Sequence, residues 1–310
     1  MQFKASAPGS LMLLGEYAVL SGKHALVCAV DKRITVTLTP REDERIEIQS
    51  ALLGTYSTEL SQLKIEKPFQ YVLGALKHYQ AKLKRGCDMV IESDFSDQVG
   101  LGSSAAVTVA TLAALVSWIG IRMLPIDLVR QGRNIIRAVQ GMGSGADVAA
   151  SVYGGMVGYQ AQPLLAEKFS VAYPITVLFS GSKTPTPEAV SKVHEYFSAY
   201  PNIFRELTNS IGQCALDGML CVRRGEWEKL GHIMNMQQGL MEALGVSTPL
   251  MREMIDHLRQ QSGVRGAKIS GSGLGDCIIG LGETPTTYTY TDRQRIPVEM
   301  SLKGVHCEKI

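Results

Sequence analysis

Three glycine-interrupted segments hold the side chains whose types and spacing could do chemistry. The first is Gln98-Val99-Gly100-Leu101-Gly102-Ser103-Ser104-Ala105-Ala106-Val107-Thr108-Val109-Ala110, a loop that runs straight into a helix of small residues. Gly100 and Gly102 remove side chains where a backbone must turn sharply or approach a ligand closely. Ser103 or Ser104 can cap the helix, and Ala105 onward propagates it. A helix start of this kind offers unpaired N–H groups and the positive end of a dipole, which suits a phosphate. It is neither a Walker loop, because no Gly-Lys-Ser/Thr follows, nor Gly-x-Gly-x-x-Gly, because Ala105 stands at the third glycine position. An ordinary capped core helix is the other reading of the same residues.

The second segment is Gln140-Gly141-Met142-Gly143-Ser144-Gly145-Ala146-Asp147, where closely spaced glycines precede an aspartate at the expected start of a helix. It makes a backbone-lined concavity with a carboxylate at its edge, although Asp147 can also serve simply as a helix cap. The third is Gly271-Ser272-Gly273-Leu274-Gly275-Asp276. Glu16 is anomalous in a different way, since it interrupts the apolar run from Leu11 to Leu20. A carboxylate there is costly if buried unpaired, so it faces a site or a cationic partner, or else lies at a strand edge in water. Phosphoryl transfer needs what these segments offer together: N–H donors around a phosphate chain, hydroxyl and carboxylate groups for Mg²⁺, and a base for the accepting oxygen.

The elements that must position these groups follow from pattern. Residues 3–7 and 11–14 read as two strands separated by a tight turn at Pro8-Gly9-Ser10. Strands are expected over 27–38, 46–50 and 88–92, with the alternation at 33–38 favouring an antiparallel sheet with one wet face. Helices are expected over about 67–83, from the first loop to about 120, and over 126–139. Past residue 170 a strand at 174–180 is followed by a hydroxyl-rich loop, Ser180 to Pro187. Helical patterns at 188–199, 202–222, 226–243 and 248–262 come next, then strands at 266–270 and 277–281 and a strand pair in the tail from 286 to 310.

A chain of 310 residues favours two domains. Its 45% hydrophobic and 19% charged content describes a globular chain with ample core material. A net charge of +2 supplies no field for nucleic acid, and no apolar stretch is long enough to span a membrane. Six scattered cysteines without Cys-x-x-Cys or Cys/His pairing read as reduced thiols, and the N-terminus lacks a secretion signal, so the cytoplasm is the expected compartment.

Pro8-Gly9 with Leu14-Gly15-Glu16, Gly100-Leu101-Gly102-Ser103-Ser104-Ala105, and Lys268 with Gly271-Ser272-Gly273-Leu274-Gly275 resemble the three signature motifs of the GHMP kinase superfamily, in order and over nearly the whole chain. The resemblance implies an α+β fold of two domains. These are an N-terminal ribosomal-protein-S5-like domain, placed at 1–165, and a C-terminal ferredoxin-like α/β domain, placed at 166–310, with the site between them. It implies ATP and Mg²⁺. Carried over by position, Gly100, Leu101, Gly102, Ser103, Ser104 and Ala105 wrap the ATP phosphates, Ser104 contacts Mg²⁺, and Gly271, Ser272 and Gly273 close over them from the second domain. Asp147 orients or deprotonates the acceptor hydroxyl, and Glu16 and Tyr17 line the acceptor pocket beside Ser144 and Gly145.

The acceptor is expected to be a small molecule of the mevalonate pathway. Gly15 to Leu20, the segment around Asp147, and Gly275-Asp276-Cys277 resemble phosphomevalonate kinases more than mevalonate kinases, which usually carry His where Tyr17 stands. An acceptor that already bears a phosphate calls for cations, for which Lys23, Lys183 and Lys268 are the candidates. Two departures stand out. The family usually has Lys at the position of Ser10, a catalytic candidate here, and mevalonate kinases usually carry a Mg²⁺-binding Glu where this chain has Ile136. The leading expectation is therefore phosphomevalonate kinase, with mevalonate kinase as the alternative and a catalytically weak nucleotide-binding homologue as a third reading. The sequence leaves a homodimer open.

Overall fold

The computed structural model describes residues 1–96, 99–285 and 295–310. Gln98 of the first loop and residues 286–294 of the expected tail pair therefore lie outside the described residues.

Strand β1 (Phe3–Leu14) and the long β2 (His24–Pro40) form the centre of the first sheet. β3 (Arg45–Ser50), β4 (Gly54–Glu59) and β5 (Cys87–Ser93) extend it. β6 (Met156–Gln160) and β7 (Leu165–Phe169) branch from the start of β2. The pairings are antiparallel except for β3 with β5. Over this sheet lie α1 (Gln70–Tyr79), α2 (Ser103–Trp118), α3 (Pro125–Gln140) and α4 (Ala146–Tyr153). α2 packs on β1 and β2 and is flanked by the other three. Its sequence is apolar on every side, and Ala105, Val109, Leu112 and Leu115 are all buried, as a helix covered on all faces requires. Each buried leucine or valine there contributes about 2 kcal/mol.

The second sheet has the order β11-β8-β10-β9, all antiparallel, from β8 (Ile175–Phe179), β9 (Val264–Ser270), β10 (Cys277–Gly282) and β11 (Arg295–Ile296). α5 (Thr186–Tyr196), α6 (Pro201–Arg224), α7 (Trp227–Ala243) and α8 (Pro249–Arg259) complete it. α7 guards the edge strand β9 with side-chain amides. Asn235 Oδ1 accepts from the Ala267 N–H, and Gln238 Oε1 from the Ile269 N–H, each at 3.0 Å. The architecture is thus α+β, as expected. No helix among the described residues is long and apolar enough to cross a membrane, and all six cysteines are free thiols.

Two expectations need correction. The chain does not turn at Pro8-Gly9-Ser10: β1 runs through it with only a register shift against β2. Pro8 is tolerated because β12 (His306–Lys309) covers β1 only as far as Ser6, so beyond it no partner asks for the missing N–H. Gly9 serves close approach instead, since a Cβ there would lie 2.6 Å from the Leu101 carbonyl oxygen. Among the described residues the tail does not form the expected strand pair either. β11 joins the second sheet and β12 returns to the first, beside β1. The 165/166 division accordingly falls inside β7, and the last strand of the chain rejoins the sheet that begins it.

Candidate functional site

Ser10 lies near the middle of β1, almost fully buried, with its N–H donating to the Leu101 carbonyl at 3.0 Å. The loop before α2 presses on it: Gly102, at φ +66°, would set a Cβ 2.2 Å from Ser10 Oγ. Only glycine suits both the backbone and the space. Gly102, rather than Ser103 or Ser104, is the N-cap of α2, and among the described residues no side-chain cap is made there. The first amides of α2 are therefore not satisfied by a cap, as a phosphate-binding helix start requires.

Ser10 Oγ donates to Asp147 Oδ1 at 2.9 Å. Asp147 is the second residue of α4, whose N-cap is Gly145, and it makes no capping bond. The simple cap reading thus fails. Burial pushes the Asp147 carboxyl upward and the nearby Glu16 adds to the rise, while the Ser10 hydrogen bond and the charge of Lys183 oppose it.

The third loop arrives from the second sheet. Asp276 Oδ1 rests against Gly100 so closely that a Cβ on that glycine would sit 1.6 Å from it. Cys277 Sγ donates to the Val99 carbonyl at 2.8 Å, and the Tyr17 hydroxyl donates to the Ser272 carbonyl at 2.6 Å. The three glycine segments and the turn after β1 therefore meet. Glu16, Tyr17, Ser104, Ala105 and Asp147 line one cleft. Ser144, Gly145, Gly271 and Ser272 line it as well, as do Ile136 and Thr186.

Glu16 is the buried anion of this cleft. One oxygen pairs with the Lys268 ammonium and the other accepts from the Gln237 side-chain amide. Gln237 in turn accepts from the Gly15 N–H at 3.0 Å, which fixes the turn that carries Glu16. Lys268 is fully buried and also donates to the Ile269 carbonyl. Burial lowers its pKa, with Glu16 pushing back. Lys268 is thus a structural counter-ion inside the protein and not a cation held out to an acceptor phosphate.

Other expected residues sit apart from the cleft lining. Lys23 lies along α6, where a Cβ on Gly212 would be 2.9 Å from its Cδ. Ser103 is the half-buried first residue of α2, and Leu101 turns its side chain into the core. Gly273 supports the third loop, with a Cβ there falling 2.6 Å from the Val246 carbonyl. Gly100 and Gly102 hold the loop against its neighbours. Lys183 is exposed on the loop after β8, and its charge acts on both Asp147 and Asp276.

Sequence reading missed Gln237 and the carboxylate of Asp276. Leu230, Ile233, Met234, Gln237 and Met241 share one buried face of α7, so a glutamine at an apolar-face position was the available signal for the first. Asp276 adopts φ +83° and is buried with Oδ1 unpartnered, and burial pushes its carboxyl up to about 6.

A nucleotide triphosphate with a divalent cation fits these residues. Uncapped amides open α2, and the buried Ser272 hydroxyl has no protein partner. Among the described residues no three His, Cys, Asp or Glu side chains cluster to hold a metal by themselves. Mg²⁺ needs no such cluster, because it is ordinarily held by one or two protein oxygens together with substrate phosphates.

Comparison with known proteins gives the same picture. The model of the GHMP kinases N terminal domain matches residues 70–155, and that of GHMP kinases C terminal matches 219–287. A mevalonate kinase from Thermococcus sibiricus is 31% identical over 100% of this chain and 99% of its own length. The crystal structure of a Lin0012 protein from Listeria innocua superposes with a TM-score of 0.89 at 24% identity, covering 100% of both chains. A phosphomevalonate kinase from Streptococcus pneumoniae, in complex with phosphomevalonate and AMPPNP, has a TM-score of 0.78 at 18% identity, over 94% of this chain and 99% of its own.

Proposed function

Because the chain belongs to the GHMP kinases, enzymes that take a phosphoryl group from ATP, we propose that its acceptor is mevalonate and its product 5-phosphomevalonate. The observation that carries this choice is the charge inventory of the cleft. Among the described residues Glu16 and Asp147 are the carboxylic acids lining it, and no lysine or arginine lines it beside them. An acceptor with a carboxylate and a second, dianionic group would need more positive charge than one with a carboxylate alone. Of the three lysines expected to meet an acceptor phosphate, Lys268 is taken by Glu16 and Lys23 lies along α6. Lys183 lies exposed on the loop after β8, outside the residues that line the cleft. The mevalonate kinase relative that matches from end to end supports the same acceptor, whereas the phosphomevalonate kinase likeness, at 18% identity, speaks to fold alone.

In this reading the amides at the start of α2 and the third loop bind the nucleotide phosphates. Mg²⁺ would be held there by Ser104 together with the nucleotide and would supply charge neutralisation. Asp147 accepts the proton of the acceptor hydroxyl as that oxygen bonds to the γ-phosphorus and the bond to the ADP oxygen breaks. Ser10 fixes the direction of the Asp147 carboxylate through its 2.9 Å hydrogen bond. A carboxyl pushed up by burial is the better base near neutral pH.

A coupled ADP-release assay on the purified chain tests this with mevalonate, 5-phosphomevalonate, homoserine and galactose as acceptors. Turnover with mevalonate is expected. Turnover with 5-phosphomevalonate and not mevalonate overturns the choice of acceptor, and nucleotide binding without turnover on any of them overturns the catalytic reading.

A further inference from the structure

A phosphoryl acceptor site built around a buried carboxylate needs positive charge close to it, both to keep the base ionised and to balance the charge on the transferring group. The strand position beside Asp147 holds Ser10, which brings a hydrogen bond and no charge. Lys268, the buried ammonium nearest the cleft, is committed to Glu16. A side-chain cation acting on Asp147, beyond the charge a bound Mg²⁺ would bring to the phosphates, must therefore come from another element.

The loop between β8 and α5 is bound to the third glycine loop on both sides of Lys183. The Asp276 N–H donates to the Ser182 carbonyl at 2.7 Å, and Thr184 Oγ1 donates to the Leu274 carbonyl at 2.7 Å. The Ser180 N–H donates to the Asp276 carbonyl at 3.1 Å. Gly275 lets the two loops touch, since a Cβ there would lie 2.9 Å from Ser182 Oγ. Three residues on, Thr186 lines the cleft itself. Lys183 is thus carried on a segment held in place beside the site. Its charge acts on three acidic groups from two sheets: Asp147 at the start of α4, and Asp276 and Cys277 at the start of β10.

We propose that Lys183 is the catalytic cation of this enzyme, delivered from the second sheet to offset charge at Asp147 and on the phosphoryl group in transfer, in place of a cation on the β1 strand. The inference rests on the kinase reading above and gives Lys183 a role in turnover rather than in holding an acceptor phosphate. Other groups acting on or near Asp147 are Ser10 and Cys28 from the first sheet, Glu16 from the turn after β1, and Asp276 from the third loop. None of these carries positive charge.

Lys183 is exposed, and the Tm of each variant checks that the fold is retained. K183M removes the charge and keeps most of the stem, and K183R keeps the charge. With the acceptor that the wild type uses, K183M is expected to lower kcat by about tenfold or more with little change in the KM for acceptor, and K183R to retain most of the activity. A second reading needs no substrate: carbon-13 NMR of the Asp147 carboxyl in the nucleotide-free protein. Its titration moves to higher pH in K183M and stays near the wild-type position in K183R. A K183M enzyme with normal kcat and a raised acceptor KM overturns the proposal in favour of a substrate-binding lysine, and an unmoved Asp147 titration overturns it outright. Should the wild type turn over none of the acceptors, the proposed function fails, and the carboxyl titration still decides whether Lys183 acts on Asp147.

Discussion

Replacing Lys268 by methionine probes the arrangement on which the cleft depends. Lys268 and Glu16 side chains are 0% and 2% exposed, so solvent does not screen the pair and cannot rescue the partner left behind. Methionine fills nearly the same volume, so the loss is electrostatic rather than a cavity. An uncompensated carboxylate then remains beside Gln237, whose amide supplies one hydrogen bond against a desolvation cost of several kcal/mol. Removing one member of a buried pair destabilises by about 3–5 kcal/mol. At about 2 °C per kcal/mol for a large chain, that is a fall of at least about 6 °C in Tm. Thermal unfolding followed by circular dichroism measures it, with two controls. The double variant E16Q/K268M removes both charges and should recover most of the loss, because a neutral amide can still bond to Gln237. K229M removes a surface cation whose pair with Glu226 is 65% and 30% exposed, and should cost under about 1 kcal/mol. A K268M protein within about 2 °C of wild type would refute the claim that this ion pair holds the turn after β1 in place.

Asp147→Asn should leave nucleotide affinity nearly unchanged in calorimetry while lowering kcat about a hundredfold or more, the scale of a lost general base; near-normal turnover would leave the carboxylate without a chemical role. Gly100→Ala places a Cβ 1.6 Å from Asp276 Oδ1 at φ +68°, so the two loops must part, and ADP affinity should fall at least about tenfold by titration calorimetry. Asp276→Asn tests a pH dependence. The carboxyl of Asp276 is pushed up to about 6 from 3.8 by burial, so its contribution to stability is complete below pH 3.8 and disappears as pH rises through about 6. The variant should therefore gain on wild type between pH 4 and 7.5, by up to about 3 kcal/mol in urea unfolding. A constant difference across that range contradicts the burial of the ionised group.

What was legible in the sequence and what was not divide along one physical line. Glycines at 100, 102, 271 and 275 announce themselves because each adopts a positive φ that a side chain disfavours, and that requirement belongs to the local backbone. The helices of both halves are legible for the same reason, since apolar periodicity is written within each segment. Pro8-Gly9 shows the limit. The pair looks like a turn, yet Gly9 exists to admit Leu101, some ninety residues away in the chain, and Pro8 is harmless because β12, from the far end, stops at Ser6. Neither reason can be read from the neighbours of those residues. The partners of charged groups are hidden in the same way. Glu16 was recognisably out of place among apolar residues, but nothing near it names Lys268 and Gln237, which come from β9 and α7. Because each lysine's partner is fixed by such distant contacts, the cations available to an acceptor cannot be counted from the sequence, which is why the motifs lean to 5-phosphomevalonate while the proposed acceptor is mevalonate. The motifs identify phosphoryl transfer from local backbone needs. The choice of acceptor depends on which charges the fold has already spent, and that is a tertiary property.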